Sequence, residues 1–240
     1  MKKLWEATKK VKVNSNLYQF EKLISKKYNL NFNLNYKKIL NWSIKNSPIF
    51  WDNVWDFCKV NGLKSKNKIV KSKIFYKNKF LPKYKLNFAE NLLVKNNGEK
   101  AVTFISENGF REERTWKKLN NNVSKVYEFL KKIEIKKNDR IAAYLPNTIE
   151  TVEAFLGTSS IGAIWSSCSP DFGVNGVIER FSQINPKVLF TADKYYYNGK
   201  EINVLERIPQ ILKKIKSIKY VVIINYPGKR YLNNYIKSKK

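Results

Sequence analysis

The sequence predicts an α/β fold: an incomplete, mainly parallel, doubly wound sheet with helices on both faces, preceded by a helical N-terminal segment. Three observations carry this. The apolar runs RIAAYL (140–145), AIWSSC (163–168), KVLFTA (187–192) and KYVVIIN (219–225) are separated by helical patterns. That alternation marks βαβ units and a parallel sheet, and right-handed crossovers then place helices on both faces. Before residue 95 the pattern is helical and aromatic-rich instead. No internal repeat is evident.

Asn14-Ser15-Asn16 offers caps for a first helix with Leu17, Phe20, Leu23 and Ile24 at helical spacing. Tyr36, Ile39 and Leu40 begin a second, which breaks at Asn46-Ser47-Pro48; Ser47 is a natural N-cap and Pro48 suits the first helical position. The third places Phe50, Trp51, Val54, Trp55 and Cys58 on an apolar face, with Asp52, Asn53 and Asp56 opposite. Cys58 is therefore read as packed. Residues 61–85 are Lys-rich and irregular, with a short strand expected at Lys73–Tyr76 and a break at Pro82. LNFAENLL (86–93) reads as one or two helical turns. A boundary falls near Asn96-Asn97-Gly98, giving segments 1–95 and 96–240.

AVTFIS (101–106) and FREER (110–114) read as strands joined through Asn108-Gly109. Thr115 caps a helix in which Trp116, Leu119, Val123, Val126, Tyr127, Leu130 and Ile133 recur every three or four residues. Further helices are expected from Pro146-Asn147-Thr148 to about Ser160, around Val177, Ile178, Phe181 and Ile184, and near Val204–Ile215. The tail YLNNYIKSKK ends in charge without closing an element.

Composition removes several chemistries. The 240 residues include no histidine, which excludes His-activated nucleophiles and His-bound metals. Cys58 and Cys168 are too few for a disulfide or zinc framework and suit a reducing cytoplasm. There is no apolar run long enough for a membrane span and no signal-peptide core. The net charge of +28 invites a nucleic-acid reading, but the excess is lysine. The only arginines are Arg111, Arg114, Arg140, Arg180, Arg207 and Arg230, whereas base and phosphate recognition favours the guanidinium fork. With Asn, Ile, Tyr and Phe also abundant, the charge follows A/T-rich codon usage, and no specific nucleic-acid partner is expected.

Two stretches stand at the carboxyl ends of expected strands, where open α/β sheets bind ligands. WSSCSPDFG (165–173) holds Cys168 and a Pro-Asp-Phe-Gly turn. It is either a plain strand-to-helix connection or a ligand loop in which small residues permit close approach and Phe172 walls a pocket. Cys168 is not read as a nucleophile, since no histidine can activate it. TADKYYYNGK (191–200) is either an exposed tight turn at Asn198-Gly199 or a place where Lys200 meets a phosphate. Glu150 and Glu153 are read as complementing a helix dipole. Glu112 and Glu113 point to opposite strand faces, and Asp171 and Asp193 stabilise turns. With nine glycines there is no GxxxxGK[ST], no GxGxxG and no Ser/Thr/Gly-rich phosphate loop.

Several segments together resemble the acetoacetyl-CoA synthetases of the acyl-adenylate-forming, AMP-binding superfamily. They are LW (4–5), FWDNVWDFC (50–58), LNFAENLL (86–93), RIAAYLPNTIETV (140–152), IGAIWSSCSPDFGVNGVIERFSQINPKVLFTAD (161–193) and YNGK (197–200). The long central block is the most specific, and SSCSPDFG with LNFAENLL points to the acetoacetate branch. The resemblance implies a ligase joining acetoacetate to coenzyme A through an acyl-adenylate, with ATP and Mg²⁺ as cofactors. It implies that residues 1–95 are the N-terminal segment of such synthetases and 96–240 the first part of the adenylating domain. In acetyl-CoA synthetase relatives the stretch matching Tyr197, Asn198, Gly199 and Lys200 touches the coenzyme A nucleotide. Those relatives carry arginine at both ends of that stretch, where this chain has Tyr197 and Lys200. Because the family's phosphate loop and C-terminal lysine are not in this sequence, the chain reads as the front part of a ligase, inactive alone. It is then a truncated gene product, a split or incomplete reading frame, or a fragment, and a C-terminal half on a separate chain is one partner the resemblance allows. Other short-chain acyl-CoA ligases, or a non-catalytic basic binding module, are the competing readings.

Overall fold

The computed structural model describes residues 4–66, 69–70, 72–226 and 235–237. By internal packing the chain divides into two compact units, Met1–Leu86 and Asn87–Lys240.

The first unit is built on helices α1 (Lys9–Val13), α2 (Asn16–Tyr28), α3 (Tyr36–Lys45) and α4 (Ser47–Phe57). Ser15 Oγ accepts from Tyr18 N–H at 3.2 Å, as the sequence predicts for the start of α2, and Asn35 Oδ1 accepts from Lys38 N–H at the start of α3. Phe20, Ile24, Phe32 and Ile39 form a buried core against Trp42, Phe50, Val54 and Phe57. Phe20 meets Phe50 and Phe57 edge-on, the geometry that aromatic quadrupoles favour.

Four local expectations fail here. Ser47 is the first residue of α4 and Asn46 stands at the cap; the Ser47 hydroxyl donates to Ile44 O at 2.9 Å, because α3 ends only two residues earlier, at Lys45. Asn53 is buried rather than solvated: its amide donates to Tyr28 Oη and Ile49 O, and its carbonyl accepts from Lys27 Nζ at 2.8 Å. Cys58 terminates α4 and is exposed. Lys73–Tyr76 is not a strand; residues 75–77 make a 3-10 turn. Short strands β1 (Gly62–Leu63), β2 (Ile69–Val70), β3 (Lys79–Phe80) and β4 (Lys85–Leu86) pair antiparallel, β1 with β4 and β2 with β3.

The second unit opens with α5 (Phe88–Leu92). The units thus divide ahead of the 95/96 boundary read from the sequence, and the helix in LNFAENLL belongs to the second unit rather than the first. Asn87 does two jobs: its side-chain carbonyl accepts from Glu90 N–H, and its amide donates to Ser159 O and Ser160 O at 3.1 and 3.0 Å. The hairpin β5 (Lys100–Ile105) and β6 (Arg111–Thr115) turns through Gly109 at φ +80°. Thr115 Oγ1 accepts from Lys118 N–H to start α6 (Trp116–Lys132).

Then come β7 (Arg140–Tyr144), α7 (Ile149–Ile161), β8 (Ile164–Cys168), α8 (Val174–Ser182), β9 (Val188–Ala192), the hairpin β10 (Lys194–Tyr197) and β11 (Lys200–Asn203), α9 (Ile208–Lys214), β12 (Tyr220–Ile224) and β13 (Tyr235–Lys237). The main sheet has the order β13-β12-β9-β7-β8. Strands β12, β9, β7 and β8 are all parallel, and β13 is antiparallel to β12. The strand at 235–237 corrects the expectation that the tail closes no element.

The sheet's two faces follow the period of two along each strand. Ile141, Ala143, Val188 and Phe190 face α6 and α7, while Ala142, Tyr144 and Leu189 face Val177 and Phe181 of α8 and Ile208 and Ile211 of α9. Helices on both faces are therefore established. Helices α6 and α7 approach closely because residue 157 is glycine; a Cβ there would lie 2.5 Å from Val126 Cγ1.

At the opposite, amino end of the sheet Asp139 anchors the KKND turn. It accepts from Lys136 N–H at 2.9 Å and pairs with Lys187 Nζ at 2.7 Å. Burial opposes ionisation of this carboxyl, but Lys187, the Lys136 amide and Arg140 together outweigh it and hold it below the ordinary value. A depressed folded-state value stabilises above the unfolded pKa of about 4 and is lost as pH falls through the lower folded value. Asp139→Asn is therefore expected to flatten the fall in unfolding free energy below about pH 4, measured by denaturant titration at stepped pH. An unchanged pH profile would show that Asp139 does not carry it.

Candidate functional site at the carboxyl edge of the sheet

Numbering the parallel strands in chain order, their spatial order is 2-1-3-4. Connections leave β7 toward β8 on one side and cross toward β9 on the other, so the topological switch point lies between β7 and β9. Ligands of open α/β sheets bind beyond the carboxyl ends at such a point. Here those ends carry Pro146-Asn147-Thr148 after β7, Ser169–Gly173 after β8, the β10–β11 hairpin after β9, and Asn225-Tyr226 after β12.

The hairpin holds all four residues singled out from the sequence. Tyr197 and Lys200 are register partners, and Asn198 and Gly199 form the two-residue turn at φ +52° and +72°. Two successive positive φ values are the type I′ geometry that Asn-Gly supports. All four are exposed. No carboxylate pairs with Lys200 among the described residues, whereas neighbouring Lys194 is taken by Glu201 at 2.7 Å. A Cβ at Gly199 would meet nothing within 4 Å, so the turn is open to approach. An exposed phenol ring and a cation side by side fit an anionic nucleotide.

The hairpin is held from beneath. Asp193 Oδ1 accepts from Lys194 N–H at 2.8 Å and Tyr226 N–H at 2.7 Å, and Asp193 N–H donates to Ile224 O. Tyr226 stacks edge-on with Tyr196 and with Phe104 of β5. Gly199 N–H donates to Glu107 in the β5–β6 turn at 3.0 Å. None of these long-range partners was visible in the sequence, because nothing in local spacing joins residue 107 to 199.

The Ser169–Gly173 turn is as firmly fixed. Tyr144, fully buried, points its hydroxyl at Phe172 O (2.6 Å) and Pro170 O (3.0 Å). Burial pushes its phenol above the ordinary value against the opposing pull of Arg207. Ser169 Oγ donates to Asp171 at 2.7 Å, and Arg180 lies 4.1 Å over the Phe172 ring. Cys168 is buried, and burial raises its thiol, with Arg180 opposing. It remains a thiol, the state that lacks nucleophilic power.

Glu150 and Glu153 do more than complement a dipole. Arg114, buried on β6, pairs with Glu112, with Glu150 at 2.9 Å and with Glu153 at 3.1 Å, and Asn122 donates to Glu153 at 2.8 Å. Burial raises the Glu153 carboxyl, with Asn122 and Arg114 opposing. This cluster pins α7, the helix that leaves the switch point. Among the described residues no group of three or more His, Cys, Asp or Glu is placed to hold a metal ion, and no helix is long and apolar enough to cross a membrane.

The profile of the AMP-binding enzyme family matches residues 91–239. The chain belongs to the AMP-binding enzyme family. Within it, the chain is 36% identical over 225 residues to the acetoacetyl-coenzyme A synthetase of Rhizobium meliloti (strain 1021), covering 94% of this chain and 34% of that protein. It is 40% identical over 196 residues to the acetoacetyl-CoA synthetase of Xenopus tropicalis, covering 80% and 29%. The chain thus spans about a third of the length of the curated relatives it matches. Its fold matches the acetoacetyl-CoA synthetase structure from Streptomyces lividans with a TM-score of 0.87 at 24% identity, covering 97% of this chain and 36% of that one.

Proposed function

We propose that this chain forms part of an acetoacetate–CoA ligase and supplies one wall of its site, with Tyr197, Asn198, Gly199 and Lys200 receiving the nucleotide of coenzyme A. The reaction is ATP-dependent: the acetoacetate carboxylate displaces pyrophosphate from ATP, and the thiol of coenzyme A then displaces AMP from the acyl-adenylate. The chain's own residues bind and orient. Lys200 faces a phosphate, Tyr197 flanks the base or ribose, and the pinned turn at 169–173 shapes the floor beside them. No residue here is assigned to Mg²⁺ or to gripping the triphosphate, so the chain alone is expected to form no adenylate.

The observation that carries this reading is the open Asn-Gly turn with the exposed Lys200 cation at the carboxyl edge beside the switch point, within a chain similar to acetoacetyl-CoA synthetases. Calorimetric titration of coenzyme A and of 3′-dephospho-coenzyme A into the chain tests it. Coenzyme A should bind the tighter, and Lys200→Ala should weaken it about tenfold while leaving the dephospho form unchanged. Equal binding of both compounds would remove the assignment. Pyrophosphate released from ATP and acetoacetate by the purified chain would overturn that expectation.

A further inference from the structure

Arg207 lies in the 3-10 turn ahead of α9, its backbone anchored by buried Ile208 and Ile211. Its Nη1 donates to Tyr144 Oη and to Pro170 O, both at 2.7 Å. Arg207 also stands at the foot of the hairpin: it follows β11 by four residues, Val204 between them donates its N–H to Asp193 O at 2.9 Å, and the Tyr195 phenol lies near its charge. Tyr195 is the buried residue of β10. One residue thus joins the end of β7 and the turn after β8 to the chain that leaves the β10–β11 hairpin. Both bonded partners are oxygens, so Nη1 is turned inward on the protein, and the planar fork holds its donors at fixed angles as an ammonium cannot.

We infer that Arg207 is a positioning residue that locks the 169–173 turn and the β10–β11 hairpin into one body, so that a ligand seated on the hairpin is held only while the turn stays in place. This rests on the reading of the hairpin as a nucleotide contact. The ligand class is an adenosine carrying a 3′-phosphate and a 5′-phosphoryl chain. Arg207 touches none of it and acts through Pro170 and Tyr144 and through its place at the foot of β11. On β11 the inward apolar contact comes from Ile202, partly buried in the same core as Tyr195. Tyr195 and Tyr196 add to that contact, and in a hairpin of two short surface strands the polar ties supply much of the remaining order.

Amide hydrogen exchange and calorimetric titration with adenosine 3′,5′-bisphosphate, on the chain and its Arg207→Met and Arg207→Lys variants, test this. In Arg207→Met, exchange in 169–173 and in 194–203 should quicken together, about tenfold, while α6 stays protected and reports an intact fold. Affinity for the bisphosphate should fall about tenfold. Arg207→Lys keeps the charge without the fork and should behave like the methionine variant. Faster exchange in the turn alone, with the hairpin unchanged, would overturn the coupling. So would unchanged affinity in Arg207→Met, or full rescue by lysine. Should the wild-type chain bind no bisphosphate while both segments still loosen together, the nucleotide reading fails and the mechanical link stands.

Discussion

Arg114→Ala is expected to lower the stability of the Asn87–Lys240 unit by about 3–5 kcal/mol, the cost of removing one partner from a buried ion cluster. Arg114 is 6% exposed and is the only cation paired with Glu112, Glu150 and Glu153 among the described residues. Without it three carboxylates face one another with Asn122 as the donor left to Glu153. Burial already raises Glu153, and loss of the guanidinium raises it further. A carboxyl whose folded-state pKa lies above the unfolded value stabilises at low pH and loses that contribution as pH rises through the folded value. The deficit of Arg114→Ala should accordingly be largest near neutral pH and shrink toward about pH 4. Thermal unfolding should show a drop of about 6–20 °C near neutrality. A variant within about 1 °C of the wild type would mean that water replaces the guanidinium at little cost.

The second large effect is expected at Phe181. Its ring is fully buried between α8 and the sheet face formed by Ala142, Tyr144 and Leu189. Phe181→Ala should cost about 3–5 kcal/mol, the transfer of a phenyl group plus the cavity it leaves. Because α8 starts directly after the Ser169–Gly173 turn, the variant should also loosen that turn. Chemical denaturation gives the energy, and an undiminished midpoint would show that α8 collapses into the gap. The neighbouring Phe172, 38% exposed under Arg180, serves as the contrasting position with little core to lose.

Strands β7 and β9 were legible because they lie at the centre of the sheet, buried on both faces, and therefore read as apolar runs. RIAAYL, KVLFTA and KYVVIIN fell within a residue or so of β7, β9 and β12. Helix α6 was legible because its apolar stripe is long and its cap, Thr115, is adjacent. The Asn198-Gly199 turn was legible because only such residues tolerate two positive φ values. What failed has a common physical origin in contacts that local spacing does not encode. Asn53 looked solvent-facing by helical phase, yet Lys27 and Tyr28 of another helix supply its partners. Cys58 kept the apolar phase of α4 but falls on its last, exposed turn. Glu150 and Glu153 were read by their distance from a helix start, while their guanidinium partner sits on a strand earlier in the chain. Arg207 gave one hint, as one of few arginines in a chain that otherwise uses lysine, but nothing local ties it to Tyr144.

The order of the parallel strands also has a kinetic consequence. Ile141 registers with Val188 across the centre of the sheet, and the chain between them must first complete a helix, an edge strand and a second helix. Closing so long a loop is entropically expensive before any pairing rewards it. The hairpins at 100–115 and 194–203 need only a tight reversal and can assemble in microseconds. During refolding, Val188, Leu189 and Phe190 therefore wait unpaired after both hairpins have formed. In that interval this apolar strand, like β12 that pairs with it, is open to association with other chains.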